Sequence, residues 1–335
     1  MISRHQVKLC AIVLSIRAFD PDRDLEGLLW LENAVLGSHA TLEELRLRDE
    51  SRGADLAGAN LAWLRLVALW DWQIVGAIEA TQKPHPWAIR AEVKVGVRPD
   101  HRGLGVARAL VSALETHLHE AGGRMMLVYT GEFDFGYNHF LWRVGFNEIF
   151  RGYPQYLALH GVDLESISVD WARIAAADVE FRTLSEVHFE WDCARKLYDL
   201  YVQLEADVPR VDEQFAPKSF EEFCADIFDS PASLPDGVML AVHVRDWGME
   251  YVGCNILYRD DAGLVLHNGL TGVRRDLRGL GLAAALKYKG IEFAMRAGYA
   301  GITTFNASSN HAILALNQKF GFERGSATVE WRKSV

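Results

Sequence analysis

Two glycine-rich turns carry the chemistry that this sequence offers most directly. Arg102, Gly103, Leu104, Gly105, Val106 and Ala107 are matched by Arg278, Gly279, Leu280, Gly281, Leu282 and Ala283. In each copy a strand-like run ends at the turn and an amphipathic, helix-like run starts after it. A helix opening there presents unpaired N–H groups and the positive end of its dipole, which suits a pyrophosphate. The glycines let phosphate oxygens reach the backbone with no Cβ in the way. Ala107 and Ala283 keep the first helical turn slim. A plain tight turn has the same lettering, so the turn alone does not decide. A Walker loop needs GxxxxGK[ST], and a dinucleotide fingerprint needs GxGxxG after the first strand of its unit. Both fit poorly, because here the turn follows a fourth strand.

The turns sit inside a longer repeat. Residues 96–110 and 272–286 are identical at eleven of fifteen positions. A Gly-Phe pair follows each leading arginine after 43 residues, at Gly145–Phe146 and Gly321–Phe322. The copies are offset by 176 residues, which reads as a duplicated domain. A chain of 335 residues accommodates two domains of about 150 to 170 residues, each with its own core. We expect a first domain over 1–160, a linker over 161–178 and a second domain over 179–335. The linker is not Gly/Ser-rich, so a packed connection is expected.

The elements that must position the turns read alike in both copies. The first begins with a strand over 9–19 and a helix from Asp22 with Leu25, Leu28, Leu29 and Leu31 on its apolar side. A short helix over 42–48 and strands over 61–70 and 74–80 follow, the strands joined by a hairpin at Asp71–Gln73. A fourth strand over 92–97 leads into the turn, and its helix runs to Ala121, stopped by Gly122–Gly123. A strand over 125–130, a helix over 137–143 and a strand from Phe146 complete the copy. The second copy starts at Val179, with a helix over 191–204 and hairpin strands over 238–244 and 251–258. Its fourth strand covers 264–273 and its motif helix runs to Ala297. A strand over 302–306, a helix over 312–320 and a strand over 328–331 close it.

Composition narrows the partners. A net charge of −10 argues against a general nucleic-acid or anionic-membrane binder and is compatible with a cationic substrate. Cys10, Cys193, Cys224 and Cys254 show no CxxC spacing and no cluster with histidines. A reduced, cytoplasmic setting without structural zinc is expected. Arg4 and Lys8 precede the apolar run 9–16, which imitates a secretion signal. That run lacks a small-residue cleavage site and is followed by Arg17 and Asp20, so it reads as a first strand. No stretch reaches the roughly 20 apolar residues of a transmembrane helix.

The segments Val97–Ala107 and Val273–Ala283 resemble the acyl-CoA pyrophosphate loop of the GNAT superfamily of N-acyltransferases, and each Gly-Phe resembles that family's closing motif. The resemblance covers nearly the whole chain as two tandem GNAT units, an arrangement also found in mycothiol synthases. It implies a mixed α/β fold, each domain a splayed mixed sheet flanked by helices. It further implies acetyl-CoA as cosubstrate, no metal, and a small-molecule amine that attacks the thioester directly in a ternary complex. The pyrophosphate would lie on the two loops. The pantetheine would pair like an extra strand with the backbone near Val95 and Val97, or near Thr271 and Val273.

The resemblance also separates the copies. The family's base often lies on the fourth strand six residues before its terminal valine, which is His267 in the second copy and Ala91 in the first. Strand periodicity puts His267 on the face of Thr271 and Val273, and a histidine that merely packs remains the alternative. Glu92 is one residue off and points to the other face unless a bulge intervenes. Thr304, Asn306 and Asn310 resemble the family's T-x-N-x-x-x-N pattern, in which the later Asn bonds the pantetheine arm; the first copy has Thr130 and Asp134 at the two asparagine positions. The tyrosine that many relatives use to protonate the thiolate is replaced by Leu141 and Asn317, and Tyr137 is displaced by one helical turn. Mycothiol synthases tend to keep that tyrosine, so Asn317 speaks against that identity.

The second domain is therefore expected to be catalytic and the first auxiliary. Asp192, Tyr198, Tyr201, Glu205 and Asp207 are candidates for holding a cationic acceptor, with a solvated acidic helix face as the alternative. A non-catalytic acyl-CoA-binding pair and a protein or peptide acetyltransferase stay open.

Overall fold

The computed structural model describes residues 14–36, 39–58, 63–83, 90–209, 217–246, 248–260 and 262–335. Cys10 and the expected strand start over 9–13 lie outside the described residues. The chain forms two compact units. Unit 1 draws on residues up to Thr130, on Asp134–Ile149 and on Glu330–Val335; unit 2 draws on Gly131–Phe133 and Phe150–Val329.

The first sequence copy folds as β1 (Leu14–Ala18), α1 (Pro21–Leu36), α2 (Leu42–Gly58), β2 (Trp63–Trp70), β3 (Gln73–Lys83) and β4 (Arg90–Val97). It continues with α3 (Val106–Glu120), β5 (Met125–Gly131), α4 (Phe135–Arg143) and β6 (Asn147–Ala158). Helix α2 continues well past the expected 42–48. Leu45 anchors it in the core at 1% exposure, while the charged run after it has no apolar stripe for a sequence reading to follow. Its start is fixed by Thr41 and Glu44, which exchange side-chain-to-backbone hydrogen bonds of 2.7 and 3.2 Å. The β2–β3 hairpin turns on Asp71 and Trp72, both left-handed at φ 48° and 67°, the backbone of a two-residue type I′ turn.

The second copy contributes α5 (Trp171–Ala176), β7 (Glu180–Thr183), α6 (Leu184–Val187), α7 (Cys193–Glu205), α8 (Phe220–Cys224), β8 (Ser233–Arg245) and β9 (Gly248–Arg259). Then follow β10 (Val265–Val273), α9 (Leu282–Arg296), β11 (Gly301–Ala307), α10 (His311–Lys319), β12 (Glu323–Arg324) and β13 (Thr328–Ser334). Ahead of β7, Val162, Leu164, Ile167 and Ile174 pack into the core of unit 2.

In unit 1 the strand order is β1-β2-β3-β4-β5, with β13 next to β5. In unit 2 it is β6-β11-β10-β9-β8-β7, with β12 paired to β6. The unit 2 sheet is covered on one face by Leu197, Leu200 and Leu204 of α7, which meet Leu240, Val242 and Ile256. On the other face Leu282 and Leu286 of α9 meet Val252 and Val273. Each fully buried side chain of this kind contributes about 1.5–3 kcal/mol, so the two helices fix the sheet between them.

One feature of each sheet bears directly on function. Strands β4 and β5 run parallel and pair only over Arg90–Glu92 with Met125–Leu127. Strands β10 and β11 pair only over Val265–His267 with Gly301–Thr303. Beyond those residues the parallel strands splay, leaving a gap beside the glycine turn.

Candidate active site

The glycine turns have nearly the same backbone in both units. A short 3-10 turn, Pro99–His101 or Arg275–Leu277, precedes each. Arg102 Nε donates to Val97 O at 3.2 Å and Arg278 Nε to Val273 O at 3.1 Å, so each arginine fastens the turn to its own strand. Gly103 and Gly105 have φ of 78° and 87°, and Gly279 and Gly281 have 80° and 87°. A Cβ at any of these four positions would meet nothing within 4 Å. The glycines are thus required by the left-handed backbone, which costs other residues about 1–2 kcal/mol. The open space above them is where an anion can approach the helix N-terminus. Leu104 is exposed and Leu280 half-buried, whereas Val106 and Leu282 are buried and anchor α3 and α9. Ala107 and Ala283 are half-buried in the first turns.

The fourth strands differ. Strand β4 pairs with β3 in unbroken register from Gly76–Val97 to Lys83–Arg90. Strand β10 pairs with β9 at Asn268–Leu257 and then at Thr271–Asn255, so one extra residue bulges out between Asn268 and Thr271. The bulge overturns the expected facing of His267. An extra residue flips the alternation, so His267 is not on the face of Thr271 and Val273. It shares the α7 face with Leu270, which packs on the α7-side core, and with Gly272, whose Cβ position lies against Leu204.

The bulge also changes the counterpart of His267. His267 pairs with Thr303 and with Tyr258, while Glu92 pairs with Leu127 and with Thr81. Both neighbours agree: the residue of unit 1 at the place of His267 is Glu92, not Ala91. Ala91 is buried at 3% exposure. Glu92 lies near Lys94, 3.9 Å away. A signal was available in Gly269, an isolated glycine within a strand pattern, which marks a bulge.

Burial lowers the His267 pKa from its usual 6.5, favouring the neutral imidazole. Its Nδ1 lies 3.4 Å from Thr303 Oγ1. That hydroxyl donates to Leu266 O at 3.2 Å, so it accepts from Nδ1–H and leaves the lone pair on Nε2. In that tautomer Nε2 is the nitrogen able to accept a proton.

On β11, Asn306 Nδ2 donates to Gln155 Oε1 and to Thr304 Oγ1, each at 3.2 Å. Asn310 caps α10 by accepting from the Ile313 N–H at 3.4 Å. Asn317 is fully buried and donates to Gln155 Oε1 at 2.9 Å. Its role is to hold an amide cluster together, which has no bearing on protonating a thiolate. In unit 1 Leu141 is equally buried. Tyr137 of unit 1 accepts a hydrogen bond from the Val95 N–H, and its burial pushes the phenol up to about 12. Its hydroxyl thus takes the Val95 N–H, one of the backbone groups expected to pair with a pantetheine.

Four of the residues expected to hold the acceptor are engaged elsewhere. Asp207 is ion-paired with Arg275 and Arg278 at the glycine turn, and those arginines hold its carboxyl below the usual range. Asp192 lies 3.1 Å from Lys196, and the Tyr198 hydroxyl donates to Lys218 O at 2.8 Å. Tyr201 packs on Phe223 with ring centroids 4.9 Å apart. Among the described residues no group of His, Cys, Asp or Glu gathers as a metal site, and no helix is long and apolar enough to cross a membrane.

A splayed parallel strand pair beside a glycine-turned helix, built twice, defines an acyl-CoA-type transferase fold. The acetyltransferase (GNAT) family profile matches residues 27–146 and 194–322, and the chain belongs to that family. A mycothiol acetyltransferase of Thermobispora bispora is 32% identical over 124 residues, 35% of this chain and 41% of that protein. One from Geodermatophilus obscurus is 30% identical over 127 residues, 36% of this chain and 40% of that protein. The matches thus span about two fifths of these relatives. A GCN5-related N-acetyltransferase from Sphaerobacter thermophilus superposes with a TM-score of 0.59 at 19% identity, over 96% of this chain and 95% of that one. The glucosamine N-acetyltransferase region of a fungal multi-domain GH3 beta-N-acetylglucosaminidase superposes with a TM-score of 0.58 at 14% identity, over 97% of this chain and 38% of that one. At these identities the superpositions speak for the fold.

Proposed function

We propose that the chain transfers an acetyl group from acetyl-CoA to a primary amine of a small molecule, with unit 2 as the working half. The observation that carries this reading is the combination at β10: a splayed edge, a bulge and a neutral-leaning His267 beside one glycine turn. The N–H groups at the start of α9, from Gly279 to Ala283, hold the pyrophosphate. The β10 edge at Thr271 and Val273 lines the pantetheine, and the Asn310 amide donates to it. His267 Nε2 takes a proton from the acceptor ammonium, directly or through one water. The amine nitrogen then bonds to the carbonyl carbon as the carbon–sulfur bond breaks, and the thiolate leaves protonated by solvent.

Unit 1 is the auxiliary half in this reading. It keeps the glycine turn, but Tyr137 lies across its strand edge and β4 has no bulge. The small-molecule acceptor is favoured by the acidic chain as a whole and by the mycothiol acetyltransferase names of the relatives.

The test is a panel of aminosugars, polyamines, amino acids and peptides incubated with acetyl-CoA, with free thiol and acetylated product both measured. Thiol release with a small amine supports the reading. Acetyl-CoA binding without release for any amine turns it into a sensor, and release with peptides alone turns it into a peptide acetyltransferase.

A further inference from the structure

The core of unit 2 contains a polar cluster immediately behind the β10 bulge. Lys287, in the middle of α9, is 2% exposed, and Asn255 and Asn268 are 1% and 3% exposed. Lys287 Nζ donates to Asn268 Oδ1 at 2.6 Å. Asn268 Nδ2 donates to Ile256 O at 3.2 Å, and Asn268 O accepts from the Thr304 hydroxyl at 3.0 Å. The Thr271 hydroxyl donates to Asn255 Oδ1 at 2.7 Å and lies 3.2 Å from Asn268 Oδ1. One asparagine side chain thus ties together β9, β10 and α9, and its carbonyl ties in β11, at the residue where the bulge begins. Lys287 also lies over the Phe322 ring, 4.8 Å from its centroid. With no opposing carboxylate among the described residues, burial pushes its ammonium down to about 7.

Unit 1 supplies the control. The pairing registers place Val93 where unit 2 has Asn268, Ile78 where it has Asn255 and Val95 where it has Thr271. Along the equal-length helices α3 and α9, Val111 stands for Lys287 and Leu114 for Gly290. Val93, Ile78, Val111 and Leu114 are all at most 2% exposed. The same fold is therefore built in unit 1 with apolar side chains at these positions and no bulge between β3 and β4. Unit 2 even places Gly290 in a helix interior, an unfavourable position for glycine. A Cβ there would collide with the Asn255 amide. Buried polar groups are costly unless fully bonded, and the architecture does not need these. Their use lies in what they hold.

We propose that Lys287 is a positioning residue for the acyl thioester: its ammonium clamps Asn268 and so fixes the β10 bulge against which the thioester lies. The inference rests on unit 2 being the acetyl-transferring half. The bulge at residues 269–270 lies just past the last residues that β10 and β11 pair, His267 with Thr303, where the two strands part. Lys287 keeps Asn268 and Thr271 at one geometry while remaining behind the strand, out of reach of the substrate.

The test is Lys287→Met in the full chain, an apolar replacement of similar length. Acetyl-CoA affinity is read by calorimetry, turnover by thiol release with the best amine of the panel, and order by hydrogen exchange over 265–273. We expect acetyl-CoA affinity within about twofold of the parent, kcat lowered about tenfold or more, and faster exchange over the bulge. The double variant Lys287→Met with Asn268→Val, which copies unit 1, is expected to regain thermal stability but not kcat. Unchanged kcat and unchanged exchange would overturn the proposal. So would turnover, affinity and stability all falling in proportion, or kcat recovering in the double variant. If the parent chain releases no thiol with any amine, the functional reading fails by itself, and the exchange measurement still decides whether Lys287 holds the bulge.

Discussion

Strands β4 and β10 occupy the same place in the two units, each ending in a Gly-Val that leads into a glycine turn. They differ by one residue of register. Strand β4 is regular, its inner face is apolar, and Tyr137 occupies its open edge. Strand β10 bulges, its inner face is polar, and its open edge adjoins His267. The glycine turns, by contrast, match to within a few degrees of φ. The two units thus share the geometry of the turn and differ in the strand beside it. The turn alone does not tell the halves apart, and in the proposed reading the strand does.

The largest test of that contrast is at the turns. Gly281→Glu puts a carboxylate and a strained backbone where phosphates approach, and acetyl-CoA affinity should fall by about 10²-fold or more. The matching Gly105→Glu should leave turnover nearly intact. Calorimetry and thiol release on the two variants read both outcomes, and equal losses would erase the distinction between the units.

At the base, His267→Ala should lower kcat by about 10²-fold, while Glu92→Ala should not lower it. The working form of His267 is neutral and its pKa lies below 6.5. The parent rate should therefore fall as pH drops through that point, and fall again above about 7 as Lys287 loses the proton that holds its ammonium on Asn268. A pH–rate profile in which His267→Ala keeps that acidic limb would place the base elsewhere.

Opening the closed half is a gentler change. Tyr137→Ala frees the Val95 N–H, and the acetyl-CoA stoichiometry measured by equilibrium dialysis should rise above that of the parent. An unchanged stoichiometry would mean that more than Tyr137 closes unit 1. The smallest effect is expected from Asp207→Asn. Its carboxylate competes with phosphates for Arg275 and Arg278, so acetyl-CoA binding should tighten by only about two- to fivefold, the scale of a solvated ion pair. Tightening that persists unchanged in high salt would argue against this electrostatic cause.

Much of this was legible beforehand. The repeat, the glycine turns, the strand and helix order and the family all follow from local lettering, because glycine at a left-handed turn and apolar periodicity act over a few residues. Helix α2 ran past its expected end because a charged, exposed helix lacks a stripe to read. Asp207 was expected at the acceptor and is found on the glycine turn. An acidic side chain does not announce which of several nearby cations it meets. Lys287 and Asn268 were not singled out, since a lysine inside a helix pattern looks like a solvated residue until the burial of that helix is known.

The pairing of His267 with Ala91 shows where the limit falls. The 176-residue offset is real in the sequence, and within residues 96–110 it aligns the two copies correctly. By itself the sequence determined the duplication, the glycine turns and the acyltransferase family. Which residue faces which side of the strand was decided only by the tertiary structure. The bulge in β10 begins at Asn268, which bonds to β9, β11 and α9 together, elements brought from as far as Ile256 and Thr304. Strand alternation is a local rule, and one extra residue in the ladder, beside those distant contacts, reverses it.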